Sequence, residues 1–442
     1  MSEAIDINNK SGGLPAARRS VLRQLMAVRP IDPVPAGRER LKQVLSVRAL
    51  IAIGLGATIG SGIFVLTGTV ASNHSGPAIT LSLLIAAFGG GLAALCYSEF
   101  AAFLPVPGSA YSYTYATLGE ALAWFIGWNL LLEYAISASA VAVSWSAYVV
   151  SLLADAHVHL PAILVNAPLG VDAHDHLITT GAIINVPAVL IIAAMTWLLY
   201  VGVRGSAHAN TAMVALKVGI IIVIVLAGLS YINPANWRPY VPANAGSFGH
   251  FGWSGVLQGA AIIFFSYVGF DTASTTALEA RNPQRDLPLG ILGSLVISAV
   301  LYVAMATVLT GMVPYTRLDS DAPVAVALDA HPQLAGLSWL LKVGVIAGMT
   351  SVILTSLLGQ PRILLAFAVV CIGVLVLRKT RPDAYRPFRV PWAPVTCTVG
   401  ALVCLGMTLA LSNETWLRLL IWTILGMSIY AFYGFRHSRL RQ

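Results

Sequence analysis

Long apolar runs separated by short polar joints pattern this chain, and the runs exceed what the core of a water-soluble domain uses. Residues 78–103 and 183–200 carry no Lys, Arg, Asp or Glu except Glu99 near the end of the first. Runs of about 18 to 25 residues cross roughly 30 Å of hydrocarbon as helices. Eleven apolar segments are predicted, near residues 49–72, 78–104, 119–153, 181–202, 206–229, 253–279, 287–313, 337–358, 363–377, 393–411 and 415–434. The short alternating segments of a β-barrel are absent, so the fold class is all-α integral membrane. The joint Val203-Arg204-Gly205 forces antiparallel neighbours. Residues 105–118, amphipathic and Tyr-rich, are expected to lie inside, and residues 322–330 to form a short outer helix.

Two segments depart from ordinary spans. Residues 51–66 read IAIGLGATIGSGIFVL, with Gly54, Gly56, Gly60 and Gly62 close together. Such glycines permit either local unwinding or close helix packing. The sixth segment favours unwinding, because AIIFFSYVGFDTAST places Gly269 and the ionisable Asp271 inside an apolar run, five segments after the first interruption. Interrupted helices at matching places in two halves point to an inverted-repeat transporter with its site between the breaks. Unwinding there exposes N–H groups that suit a carboxylate and carbonyls that suit an ammonium. An α-amino acid offers both.

Composition agrees: 57% of residues are hydrophobic and 10% charged, against about 25% charged in soluble domains. The net charge of +8 would admit nucleic acid as a partner, but its distribution argues for the lipid bilayer instead. Basic residues cluster in the leader (Arg18, Arg19, Arg23, Arg29, Arg38, Arg40, Lys42), at Arg281 and Arg285, at 378–389, and in the tail, while residues 154–180 contain none and carry Asp155, Asp172 and Asp175. This is the positive-inside pattern of a multi-pass protein with a cytoplasmic N-terminus. Residues 1–46 read as a cytoplasmic arm, with no signal peptide before the first span.

Several ionisable residues fall inside apolar runs, where charge needs a reason. Glu133 lies near mid-depth of the third segment on a stripe with Asn129, Ser137, Ala140 and Ser144; it either lines a cavity or, protonated or paired, ties helices together. Lys217 sits mid-way along the fifth, as a proton-coupling group, as an ammonium standing where a cation would bind, or as a lysine that snorkels or pairs with a carbonyl. Asp271 could accept from a substrate amine or from helix-end N–H groups. Glu99 and Glu120 read as solvated or capping residues, and Lys342 and Arg418 as snorkelling ones. Cys96, Cys371, Cys397 and Cys404 lie in apolar segments without CxxC spacing and read as packing residues. His157, His159, His174 and His176 read as solvated loop residues. No P-loop, GxSxG, HExxH or dinucleotide fingerprint is present, so neither cofactor nor enzyme chemistry is indicated.

GATIGSGIFVLTGTVASNHSGPA at 56–78, CYSEFAAFLPVPGSAYSYTYATLGE at 96–120, WNLLLEYA at 128–135, FFSYVGFD at 264–271 and EARNPQRDLPLGI at 279–291 resemble the cationic amino acid transporter family of the amino acid, polyamine and organocation superfamily. The resemblance implies a five-plus-five inverted-repeat fold, with helices 1 and 6 broken, that moves L-amino acids, cationic ones among them, by alternating access. It implies that Ile59, Gly60, Ser61 and Gly62 bind the substrate carboxylate, that Phe265 gates the site, and that Glu133 recognises the substrate's side chain or amine. It assigns Lys217 to the place where sodium-coupled relatives bind Na⁺, which favours proton coupling. Ser61 stands where Thr is usual, and Asn129 where Asp often stands.

One departure is large. After GQPRI at 359–363 the family continues through a cytoplasmic helix and about one and a half spans, whereas this chain passes almost directly into a run resembling the end of the tenth helix. Judged by the usual spacing in the family, the resemblance implies that roughly sixty residues are missing. The organisation expected is therefore transmembrane helices 1 to 8 over 47–362, then a remnant of helix 10, helices 11 and 12 and the tail over 363–442. Charge detects the same defect: eight crossings place Arg362 inside, so 363–377 would carry the basic run 378–389 outside. That segment re-enters, lies at the surface, or inverts the C-terminal helices. A shortened membrane protein that binds amino acids or a partner without moving them is the alternative reading.

Overall fold

The computed structural model of the protein describes residues 43–104, 109–171, 177–201, 207–358, 364–410 and 413–434. They form helices α1 Val47–Thr58, α2 Ile79–Phe103, α3 Ser109–Thr117, α4 Glu120–Asp155, α5 Val186–Val201, α6 Ala207–Leu229, α7 Gly252–Ile263, α8 Pro283–Met312, α9 Pro323–Asp329, α10 Ala335–Leu358, α11 Leu364–Thr380, α12 Ala393–Leu409 and α13 Asn413–Ile429. Strands β1 Leu169–Val171 and β2 Leu177–Thr179 pair antiparallel in the loop after α4. Six stretches are long and apolar enough to cross a membrane: Gly62–Phe103, Ile136–Asp155, Thr211–Leu229, Gly252–Ser274, Pro283–Met312 and Pro332–Ile353. Further apolar helices are shorter: Val47–Thr58, Val186–Leu198, Ala393–Leu409 and Leu419–Gly434. Residues 1–42 of the N-terminal arm, His174, His176 and the GQPRI stretch lie outside the described residues.

Small residues set the central contacts, as expected where no hydrophobic drive separates helix from lipid. A Cβ added at Gly54 would lie 2.5 Å from Ser294 Oγ on α8, and one at Gly290 would lie 2.7 Å from Leu50 Cβ on α1. Helices α1 and α8 therefore run side by side. Ser46 caps α1, its Oγ accepting from Ala49 N at 3.5 Å. Just before it, Leu45 forms a parallel bridge with Ala280, donating to Glu279 O and accepting from Arg281 N, both at 3.0 Å.

That N-terminal end of the bundle carries a buried ion cluster. Glu99, at 0% exposure, accepts from Arg378 Nε at 3.0 Å, Arg378 Nη2 at 2.7 Å and Val390 N at 2.7 Å. Glu99 is thus neither solvated nor a helix cap, as position alone suggests; it ties α2 to the segment after α11. Substitution Glu99→Gln keeps one acceptor and is expected to cost about 2 kcal/mol, read as a lower midpoint of thermal unfolding in detergent. At the opposite end Lys342, at 0% side-chain exposure, reaches Asp155 at 2.7 Å and Asp329 at 2.8 Å. It links α10, α4 and the short helix α9 instead of snorkelling. Because both carboxylates keep water contact, Lys342→Met is expected to cost only about 1–2 kcal/mol by the same measurement.

Helix α11 packs against the second interruption at its start and against α2 at its end. Phe367, near its start, packs on Phe264, Phe270 and Tyr97, with ring centroids 5.3 to 5.7 Å away. Arg378, near its end, meets Glu99. The helix begins beside the turn that follows α7 and ends near the end of α2, so Arg378 lies at the Glu99 end of the bundle. Helix α12 then returns along α2, with Cys397 Sγ 3.5 Å from Cys96 Sγ, and α13 packs on α4 through stacked Trp128 and Trp422 at 4.6 Å. All four cysteines are buried packing residues.

Candidate functional site

Helix α1 stops at Thr58 because Ile59 turns extended, with φ −76° and ψ 100°, and helical turns resume at Gly62. Helix α7 gives way at Ile263 to one tight turn over Phe264–Tyr267, after which Val268 is extended, with ψ 130°, and Gly269 takes φ +125°. Such interruptions strip carbonyls of their intrahelical donors. The two lie against each other. A Cβ added at Gly269 would stand 2.8 Å from Ala57 C and Thr58 N, and one at Gly62 would collide with the Ser266 side chain.

Side chains from neighbouring helices take up the released carbonyls. Lys217 Nζ on α6, fully buried, donates to Gly56 O at 2.9 Å and Ile59 O at 3.2 Å. Its stem passes Gly348 on α10, where an added Cβ would sit 3.1 Å from Lys217 Cγ. Tyr302 Oη on α8 lies 2.7 Å from Thr58 O and 2.8 Å from Ser266 O. Beyond the break, Tyr148 on α4 donates to Phe64 O at 2.8 Å. Neither tyrosine is legible as a functional residue from the sequence, although Ser294, Ser298 and Tyr302 form a polar stripe at helical spacing inside an apolar run.

Of the residues expected at the site, Ile59, Gly60, Ser61 and Gly62 form the first interruption and are all buried. Gly60 faces Val352 of α10, with an added Cβ 3.1 Å from Val352 Cγ1. Phe265 lies half-buried in the second interruption, and Asp271 is fully buried just after it, its carbonyl accepting from Ser274 N and Oγ at 2.8 and 2.6 Å. Glu133 belongs to α4, but its side chain lies outside the described residues. The stripe assigned to it does not keep one environment: Asn129 and Ser144 are buried, whereas Ala140 is exposed.

A cavity of about 290 Å³ opens at the Lys342 end. Asn166, Asn185, Asp321 and Asp329 line it. Burial, together with the charge of Asp319, pushes the Asp321 carboxyl above the usual carboxylate range. His157 and His159 are exposed in the adjoining loop, and among the described residues no group of three or more His, Cys, Asp or Glu is placed to hold a metal ion.

Comparison with known proteins agrees with this geometry. The amino acid permease family model matches residues 45–369, and the model for the C-terminus of amino acid permeases matches residues 388–438. The chain is 37% identical to the methylthioribose transporter of Bacillus subtilis (strain 168), over 95% of this chain and 99% of that one. It is 36% identical to the branched-chain amino acid permease BcaP of the same organism, over 94% and 98%. Identity to the vacuolar cationic amino acid transporter 2 of Arabidopsis thaliana is 39%, over 74% of this chain and 50% of that one. Each Bacillus alignment runs to 475 positions although this chain has 442 residues, so those relatives carry residues with no counterpart here. The crystal structure of MhsT in complex with L-phenylalanine has the same fold, with a TM-score of 0.52 and 14% identity over 90% of this chain and 91% of that one. With its buried, interrupted helices matched by the family model across most of its length, the chain belongs to the amino acid permease family.

Proposed function

We propose that this permease moves L-amino acids across the cytoplasmic membrane by proton-linked alternating access, using two five-helix inverted repeats of which the second is shortened after α10. The observation that carries the reading is the apposition of two interruptions, with Gly269 against Ala57 and Thr58 and Gly62 against Ser266. N–H groups at the start of the helical stretch following Ile59 carry partial positive charge and suit the substrate carboxylate. Carbonyls of the second interruption and Asp271 suit its ammonium, and Phe265 closes over the pair. Lys217 fills the carbonyl cluster where a cation would otherwise bind, which favours a proton over sodium as the coupled ion. The close approach of Gly62 to Ser266 is then a closed state, and substrate enters when the two interruptions part. The arm, the Leu45 and Glu99 end and the tail are cytoplasmic, and the Lys342 end faces outward.

The test is uptake of labelled alanine, leucine and arginine into proteoliposomes, with and without a pH gradient, and with methylthioribose as competitor. Expected is saturable uptake of at least one amino acid, accelerated when the outside is acid. Uptake indifferent to pH removes the proton. Competition by methylthioribose with no amino-acid flux moves the substrate to the class named for the Bacillus relative. Substrate-dependent thermal stabilisation with no flux favours the shortened, non-transporting form.

A further inference from the structure

We infer that Tyr302 is a positioning residue for transport, its one hydroxyl proton holding the last carbonyl before the first interruption against a carbonyl of the second; this rests on the permease reading above. In an unbroken helix Thr58 O would accept from Gly62 N, and Ser266 O from Phe270 N. The extended turns at Ile59 and Val268 release both oxygens. They converge on Tyr302 Oη from 2.7 and 2.8 Å, and a phenol has a single proton to donate. One acceptor is therefore always left short.

The surroundings offer little relief. Tyr302 is 0% exposed, and its ring lies 5.2 Å from that of Tyr267, whose own hydroxyl donates to Leu83 O at 3.1 Å. Ser266 Oγ and Ser298 Oγ, both buried, have no hydrogen-bond partner among the described residues. The stripe of Ser294, Ser298 and Tyr302 thus presents the helix α8 polar face to α1, and within that stripe Tyr302 reaches both interruptions. Either interruption can move away while the proton stays with the other. The hydroxyl is fixed to the continuous helix α8 and serves as the reference against which both binding segments are set.

The test compares the full-length wild-type chain with Tyr302→Phe, which removes the hydroxyl and keeps the ring. Hydrogen–deuterium exchange is measured over residues 55–64 and 262–271, and uptake kinetics are measured in proteoliposomes. Expected is exchange at least tenfold faster in both segments with α12 unchanged, and KM raised at least tenfold while the maximal rate per folded molecule stays within about twofold. If the tyrosine merely fills space, the phenylalanine ring fills it equally and exchange and KM stay at their wild-type values, which overturns the inference. Incorporating 3-fluorotyrosine at 302, which strengthens the donor in the same shape, is expected to slow exchange of the same segments at least twofold; no change there also overturns it. Wild-type protein without uptake would sink the transport reading, whereas the exchange rates still decide the role of Tyr302.

Discussion

Replacing Lys217 with methionine is expected to abolish uptake and to lower stability by about 2–6 kcal/mol, the cost of leaving two buried carbonyls unpaired at about 1–3 kcal/mol each. The thioether chain follows the lysine stem past Gly348 but supplies no donor, so Gly56 O and Ile59 O face apolar surroundings. The loss falls on the strand of backbone that also carries Gly60, Ser61 and Gly62. Binding and stability should therefore fail together, and substrate-induced thermal stabilisation should vanish with flux. Lys217→Arg separates structure from coupling. Guanidinium keeps its charge at every accessible pH, so it can hold the carbonyls yet cannot pass a proton. If Lys217 couples, the arginine variant binds substrate and exchanges it across the membrane but no longer responds to a pH gradient. A wild-type pH response in that variant removes the coupling role and leaves Lys217 as a fixed replacement for a cation.

Residue order makes legible the part of the fold governed by apolar run length and by glycine. The interruptions are visible because Gly60, Gly62 and Gly269 break otherwise continuous apolar segments, and Lys217 is visible because a buried ammonium needs oxygen partners. Which oxygens those are depends on chain reversal between α1 and α6, which no local pattern records. Glu99 misleads for the same reason. Its partners Arg378 and Val390 lie some 280 to 290 residues away, and from its own neighbours it looks like the polar end of a span. Lys342 differs only in that its partners Asp155 and Asp329 are both visible as acids at segment ends. Tyr302 escapes notice because a tyrosine in an apolar helix is ordinarily packing, and only the positions of Thr58 O and Ser266 O give its hydroxyl a task. The basic run that begins at the end of α11 conflicts with a simple count of crossings, and no local pattern shows that its first arginine, Arg378, meets Glu99.

Gly269→Ala is expected to be severely damaging for a change of one methyl group. Two independent costs act on it. At φ +125° an L-residue is strained, by about 1–3 kcal/mol, wherever its Cβ points. Here that Cβ would also stand 2.8 Å from Ala57 C and Thr58 N, and backbone, unlike a side-chain tip, cannot rotate out of the way. Relief requires the two interruptions to separate, which pulls Ser266 O away from Tyr302 and undoes the apposition on which the site depends. Together these place the loss above about 4 kcal/mol, in the range reserved for backbone strain and core overpacking, with uptake at background. Gly406→Ala on α12 is the matched control: nothing lies within 4 Å of its added Cβ, and alanine is the better helix former by about 0.8–1.0 kcal/mol. The control should equal or slightly exceed wild type in unfolding temperature and retain uptake. Were Gly269→Ala to behave like Gly406→Ala, the two interruptions would not be in contact in the working protein, and the site would have to be sought in the cavity at the Lys342 end.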